Sequence, residues 1–197
     1  MQFSKKEEFL RKSDNRLKKI IDHNGHIKFK PKRSNQFDTL VGIVISQFIS
    51  TKASDSIHKK IKNKFNSEYL SETHFQKLKI SEIKELGLSQ NKAKTIKELS
   101  QLFLYENNLN LAGIDDKKLN EILLSIFGIG PWSVNMFQIF SVGKLNIFSS
   151  KDAGLRLAMN NSGMVKNKSI WSKYDDYAER WSPYKTIASL HLWKTVD

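Results

Sequence analysis

The chain has 197 residues, 39% of them hydrophobic, and its 33 Lys and Arg against 20 Asp and Glu give a formal net charge of +13. That length buries a proper core in one compact domain or two intimate lobes, and the charge favours a polyanionic partner, nucleic acid first, although the lysines are dispersed as on a solvated face. No cysteine is present, which excludes a disulfide, a cysteine-based zinc site and an iron–sulfur cluster, and neither a signal peptide nor an apolar run of about 18 residues is found, so a soluble intracellular protein with no membrane partner is expected.

Apolar residues recur at helical spacing almost throughout and period-two alternation is scarce, so the predicted fold class is all-α. Phe9, Leu10, Leu17, Ile20 and Ile21 predict one amphipathic helix ending near Gly25, followed by HIKFK as an extended connector. Phe37, Leu40, Val41, Val44, Ile45 and Phe48 predict a strongly buried helix. Ala53, Ile57, Ile61 and Phe65 predict the next, with QFISTK as the turn between them. Ser81 reads as the N-cap of a short helix stopped by Gly87, and Ser89 caps a helix carrying Ala93, Ile96, Leu99 and Leu102. Asp115 or Asp116 caps a helix whose inner face is Leu119, Ile122, Leu123 and Ile126. Val134, Phe137 and Phe140 line the helix beyond it, and SPYKTIASLHLW closes the chain. No internal repeat, linker or low-complexity tail marks a domain boundary.

The most informative run is NEILLSIFGIGPWSVNMFQIFSVGKLNIFSSKDAGLRL, two helical patterns joined by a glycine turn and followed by Asp152. Gly128 and Gly130 are expected to take backbone angles that a side chain forbids, and Pro131 suits the first turn of a helix, where its missing N–H costs nothing. A helix N-terminus opening from a tight hairpin presents N–H groups and a partial positive charge, which suits one phosphate of a nucleic-acid backbone. The five histidines show neither zinc spacing nor a Ser/Asp partnership, so a metallohydrolase has little support.

This run resembles the helix-hairpin-helix plus Gly/Pro-Asp signature of the HhH-GPD DNA glycosylase superfamily. Trp132, with Asp152 placed 20 residues after it, is similar to the pattern of the alkylation-repair branch, the 3-methyladenine DNA glycosylase II type. The likeness extends from about Phe37 to Trp193 through FDTLVGIVISQFISTKASDSI, LGLSQNKAKTIKELSQLF and AERWSPYKTIASLHLW, in that order. It implies a single two-lobed helical domain over residues 1–197, lacking the N-terminal β domain of some bacterial members and unable to carry the four-cysteine cluster of the endonuclease III branch.

The resemblance implies a base-excision repair enzyme that hydrolyses the N-glycosidic bond of alkylated purines in double-stranded DNA, which would lie across the mouth between the lobes. Asp152 would be the catalytic carboxylate, stabilising an oxocarbenium-like transition state and orienting or deprotonating water, although its position also suits a simple cap of the helix AGLRLAM. Trp132 stands where bifunctional relatives place a Schiff-base lysine, so no lyase step is expected. Trp132 and Trp193 would line the base pocket, where an indole face attracts a cationic alkylpurine by up to ~2 kcal/mol when desolvated. Met136 stands in the same pocket region, where related proteins have Tyr; Trp193 also fits ordinary core packing.

Phe48 would be the wedge that fills the gap left by an extruded base, against an alternative of core packing, and Gln47 and Ser50 would reach the minor groove or brace the loop. Ser133, the backbone of Gly128 and Gly130, Lys144 and Lys151 complete the expected DNA contacts. No cofactor is required. The carbonyls of Leu124, Ile126 and Ile129 match positions that hold a structural Na+ or K+ in this motif. A monomer is expected. Two rival readings are a non-catalytic helix-hairpin-helix DNA-binding protein and a glycosylase for oxidised, deaminated or mismatched bases.

Overall fold

The computed structural model describes residues 3–106 and 109–196; among these there are helices and turns but no strand, as the apolar spacing predicts. Two compact units are formed, a terminal one from residues 1–30 and 144–197 and a central one from residues 31–143. No helix among the described residues is long and apolar enough to cross a membrane.

The single helix expected from Phe9 to near Gly25 is broken. α1 spans Lys5–Ser13 and α2 spans Asn15–Asn24. Between them Asp14 leaves helical geometry (φ −149°), and its carboxylate accepts the N–H groups of Arg16 (2.8 Å) and Leu17 (3.1 Å) and the indole N–H of Trp181 (2.9 Å). An aspartate at a cap satisfies donors that the new helix leaves without partners. The break lets Leu10, Leu17 and Ile21 all become fully buried.

In the central unit α3 spans Gln36–Ser46 and α4 Thr51–Lys64. Phe37, Leu40, Val41, Ile43, Val44 and Ile45 of α3 are buried, so this helix is apolar on most sides and forms the middle of the unit. Asp38 is buried on the same helix and anchors α4: its carboxylate accepts from His58 (2.8 Å), Lys62 (2.9 Å) and the Leu70 N–H (3.2 Å). Burial alone would raise its pKa, yet the His58 and Lys62 donors outweigh this and hold it below the usual range.

Two short helices follow, α5 at Glu72–Gln76 and α6 at Ile80–Lys84, then α7 at Gln90–Tyr105. Lys79, not Ser81, is the N-cap of α6; its N–H is taken by the Glu82 carboxylate at 2.7 Å. The single ammonium of Lys97 gathers the carbonyls of Phe75 (3.2 Å), Gln76 (2.7 Å) and Leu78 (2.7 Å), closing the C-terminal end of α5. α8 spans Asp116–Ser125 and is capped by Asp115, whose carboxylate accepts the Lys118 N–H at 3.0 Å. α9 spans Pro131–Phe137 and runs on into a π turn over Gln138–Val142.

The terminal unit is completed by α10 (Ala153–Asn161), α11 (Trp171–Ala178) and α12 (Lys185–Trp193). Its core joins Leu10, Leu17 and Ile21 to Leu155, Met159, Tyr174, Trp181 and Leu192. Burying such side chains contributes roughly 1.5–3 kcal/mol each. Inside this apolar body sits Glu7, wholly buried, with its carboxylate accepting from the Ser4 N–H (2.7 Å) and hydroxyl (2.8 Å), the Ile27 N–H (2.9 Å), His26 Nδ1 (2.8 Å) and His191 Nε2 (3.3 Å). A carboxylate can only accept, so His191 carries its proton on Nε2 and its Nδ1 receives the Asn24 amide (3.4 Å). The network ties α1, the connector after α2 and α12 together.

Candidate functional site

Asp152 is the N-cap of α10. It is 9% exposed, and its Oδ1 accepts the Leu155 N–H at 2.8 Å and the indole N–H of Trp193, from α12, at 3.0 Å. The Leu155 and Trp193 N–H donors fix the direction of this carboxylate, at a helix N-terminus whose partial positive charge it faces. Gly154 leaves room for this arrangement: a Cβ there would lie 3.2 Å from Asp152 Oδ1 and 3.4 Å from Trp193 Cδ1. The loop before α10 is pinned as well, since Arg156 donates to the Ser150 carbonyl (2.6 Å) while its guanidinium lies 5.4 Å from the Trp171 ring centroid. Lys151 is exposed next to Asp152. Lys144 lies where the chain enters this unit, its carbonyl accepting the Thr186 hydroxyl at 2.7 Å.

The hairpin lies in the central unit. Gly128 has φ +79°, and a Cβ there would stand 2.3 Å from Thr95 Oγ1 of α7, so conformation and space both demand glycine. Gly130 differs from expectation. Its φ of −113° and ψ of 178° are ordinary extended values open to any residue, and a Cβ there would meet no protein atom within 4 Å. The fold does not require glycine at this position; its bare backbone leaves space for something to approach. Pro131 takes the first helical position of α9, as predicted. The turn is also held from α7, where Glu98 accepts the Phe127 N–H at 3.0 Å and the Lys94 ammonium stands 4.1 Å over the Phe127 ring.

Trp132 is half-buried in the first turn of α9. Ser133 is 2% exposed, and its hydroxyl accepts the Gln47 amide at 3.0 Å, so the side chain faces a protein donor. Met136 is 4% exposed and packs in the core of its unit. Ile126 and Ile129 bury their side chains while Leu124 is exposed, and the Ile126 carbonyl accepts the Ile129 N–H at 3.1 Å.

Phe48 departs most from the apolar periodicity. α3 ends at Ser46, and Phe48 stands in the left-handed region (φ +59°) with its side chain fully exposed. Core packing is overturned for this residue. Gln47, just before it, turns its amide to the hairpin, donating to the Gly128 carbonyl (2.9 Å) and to Ser133. Ser50 caps α4 by accepting the Ala53 N–H at 3.3 Å.

Sequence reasoning missed the hold of α7 on the hairpin and on α3, where the Lys92 ammonium donates to the Ile45 carbonyl at 2.7 Å, desolvated enough to lower its pKa. A signal existed. Lys92, Thr95 and Glu98 recur every third residue within LSQNKAKTIKELS, a polar stripe on one helix face. The Asp38 anchor had a similar trace in His58 and Lys62, spaced i, i+4 on α4.

Comparison with known proteins places the fold and the family. The Bacillus subtilis protein YfjP is 28% identical over 61% of this chain and 42% of its own length, so the chain spans less than half of that relative. The DNA-3-methyladenine glycosylase of Saccharomyces cerevisiae is 25% identical over 82% of this chain and 67% of its own. Among solved structures, the 3-methyladenine DNA glycosylase of Schizosaccharomyces pombe in complex with abasic DNA superposes with a TM-score of 0.86 at 22% identity, covering 98% of this chain and 96% of that one; it shares the fold. Residues 41–183 match the HhH-GPD family, and with the hairpin, its helix and the downstream aspartate all inside that span, the chain belongs to the HhH-GPD superfamily of base excision DNA repair proteins.

Proposed function

We propose that this protein is a monofunctional DNA glycosylase that hydrolyses the N-glycosidic bond of alkylated purines in double-stranded DNA and leaves an abasic site. The observation that carries the reading is Asp152, a nearly buried carboxylate fixed by the Leu155 N–H and the Trp193 indole, within a chain that also holds the hairpin. Relatives named as 3-methyladenine glycosylases support the substrate class.

As the bond from C1′ to the purine nitrogen breaks, positive charge grows on the sugar, and an ionised carboxylate beside it lowers the barrier. Water oriented by Asp152 then adds at C1′ and passes its proton to the Asp152 carboxylate, which releases it to solvent. Alkylation at N3 or N7 makes the purine cationic, so it departs neutral and needs little general-acid help. Trp132 offers its indole face to that cation. An indole cannot form a Schiff base with the sugar, so no strand cleavage follows from this position.

Phe48 is the wedge in this reading, and the hairpin is the phosphate clamp. The first turn of α9 presents N–H groups outside the helix's own ladder, and Gly130 lets a phosphate come close. Because the Ser133 side chain is buried against Gln47, its contribution falls to the backbone N–H. Lys144 and Lys151 add charge. Leu124, Ile126 and Ile129 carry the carbonyls that would hold Na+ or K+; the Ile126 oxygen already accepts one hydrogen bond and keeps a second lone pair, and neutral oxygens suit a monovalent ion. The ion would supply positive charge toward a phosphate.

The test is release of bases from methylated DNA, followed by chromatography. Wild type is expected to release 3-methyladenine or 7-methylguanine, and Asp152→Asn to lose at least about a hundredfold in rate while retaining DNA affinity. DNA binding with no base released from any lesion would leave only the non-catalytic binder.

A further inference from the structure

We infer that Gln47 is a positioning residue that ties the Phe48 wedge to the hairpin, so that seating the hairpin on a phosphate sets the wedge against the base stack. The inference rests on the reading of the chain as a base-extruding glycosylase.

Phe48 has no use inside the fold. It is fully exposed, so it buries no apolar area, and its φ of +59° is disfavoured for any residue with a Cβ. A glycine or asparagine would serve the turn better. The position is nonetheless heavily determined by its neighbours. Lys92 holds the end of α3 through the Ile45 carbonyl, and Ser50 fixes the start of α4. Between these two points Gln47 spends both amide hydrogens on the hairpin, one on the Gly128 carbonyl and one on Ser133 Oγ. The orientation of that amide follows from chemistry, because the Gly128 oxygen can only accept, so the nitrogen must face it.

Gly128 is also the residue whose conformation sets the hairpin, and Ser133 lies in the first turn of the helix that the hairpin opens. A single side chain therefore spans from the turn proposed to grip phosphate to the residue directly preceding the proposed wedge. Strained geometry persists where surrounding contacts over-determine it, and here the contacts come from the hairpin. Truncating Gln47 leaves Phe48 present but free to relax toward favoured backbone angles, so the wedge is lost in position rather than in chemistry.

The experiment compares two duplexes carrying one 7-methylguanine with an adjacent 2-aminopurine. In the first the lesion is paired, and in the second it sits in a single-nucleotide bulge, where extrusion needs little help. Single-turnover excision and the 2-aminopurine fluorescence rise are measured for wild type, Gln47→Ala, Phe48→Ala and the double variant.

Gln47→Ala is expected to slow paired-lesion excision and the fluorescence rise tenfold or more, while bulged-lesion excision stays within about threefold of wild type. The double variant should be no slower than the worse single one, because both remove the same act. Equal losses on both duplexes, an unchanged fluorescence rise, or single effects that multiply in the double variant would each overturn the role of Gln47. Wild type failing to excise from either duplex would instead count against the glycosylase reading.

Discussion

Trp193→Phe separates two things that an indole can do at this site. The substitution keeps an aromatic face, though a smaller one, and deletes the N–H that reaches Asp152 Oδ1 at 3.0 Å. A hydrogen bond to a charged group contributes about 1.5–3 kcal/mol, so complete loss of its orienting effect in the transition state corresponds to a fall of about 10- to 150-fold in the chemical step. The Leu155 N–H remains on the same oxygen, which keeps the carboxylate in its cap but leaves it free to swing. Single-turnover excision of 7-methylguanine at saturating enzyme, beside a DNA-affinity measurement and a thermal melt, reads this directly. Excision should slow within that range, affinity should hold within about twofold, and Trp193→Ala should be little worse than the phenylalanine variant. If Trp193→Phe instead matched wild type while Trp193→Ala failed, the ring face would be what matters, and the hydrogen bond would be a bystander.

Gly128→Ala should destabilise the protein by about 2–5 kcal/mol, combining the left-handed backbone with a Cβ forced to 2.3 Å from Thr95 Oγ1. Adding Thr95→Ala should recover part of that in a thermal melt by relieving the clash alone; no recovery would mean that the close approach is not the source. Acid stability should depend on Glu7, whose hydrogen-bond donors outweigh the opposing effect of burial and lower its pKa from 4.5 to about 2. A depressed folded-state value stabilises above the unfolded one, so roughly 3 kcal/mol is present above about pH 4.5 and is lost as the pH falls toward 2. Desolvation lowers the pKa of His191, which acts with the same sign, its contribution disappearing as the pH falls below the ordinary histidine range. Glu7→Gln should flatten the acid limb of melting temperature against pH, and an unchanged limb would refute this assignment.

Much of this was legible locally. Helix periods, the caps at Ser89 and Asp115 and Pro131 opening α9 depend on residues a few turns apart, where propensity and backbone geometry act directly, whereas the spacing from Trp132 to Asp152 carried meaning only through the family resemblance. The same local logic also misread places, among them the cap of α6, the angles of Gly130 and two points where apolar period was followed too far. Apolar period carried the predicted helix straight through Asp14, whose preference for capping broke it in two, and put Phe48 in a buried helix that ends two residues earlier.

From its own order of residues the chain determined that it would be helical, that a glycine hairpin would open onto a helix, and that an acid would follow at a set interval. Tertiary packing alone decided which groups meet. Gln47 reaches Gly128 across 81 positions, Trp193 reaches Asp152 across 41 and His191 reaches Glu7 across 184. Such pairings leave no periodic trace, because a hydrogen bond between distant residues depends on where whole helices settle against one another, and that is set by the summed burial of their apolar faces rather than by either residue involved.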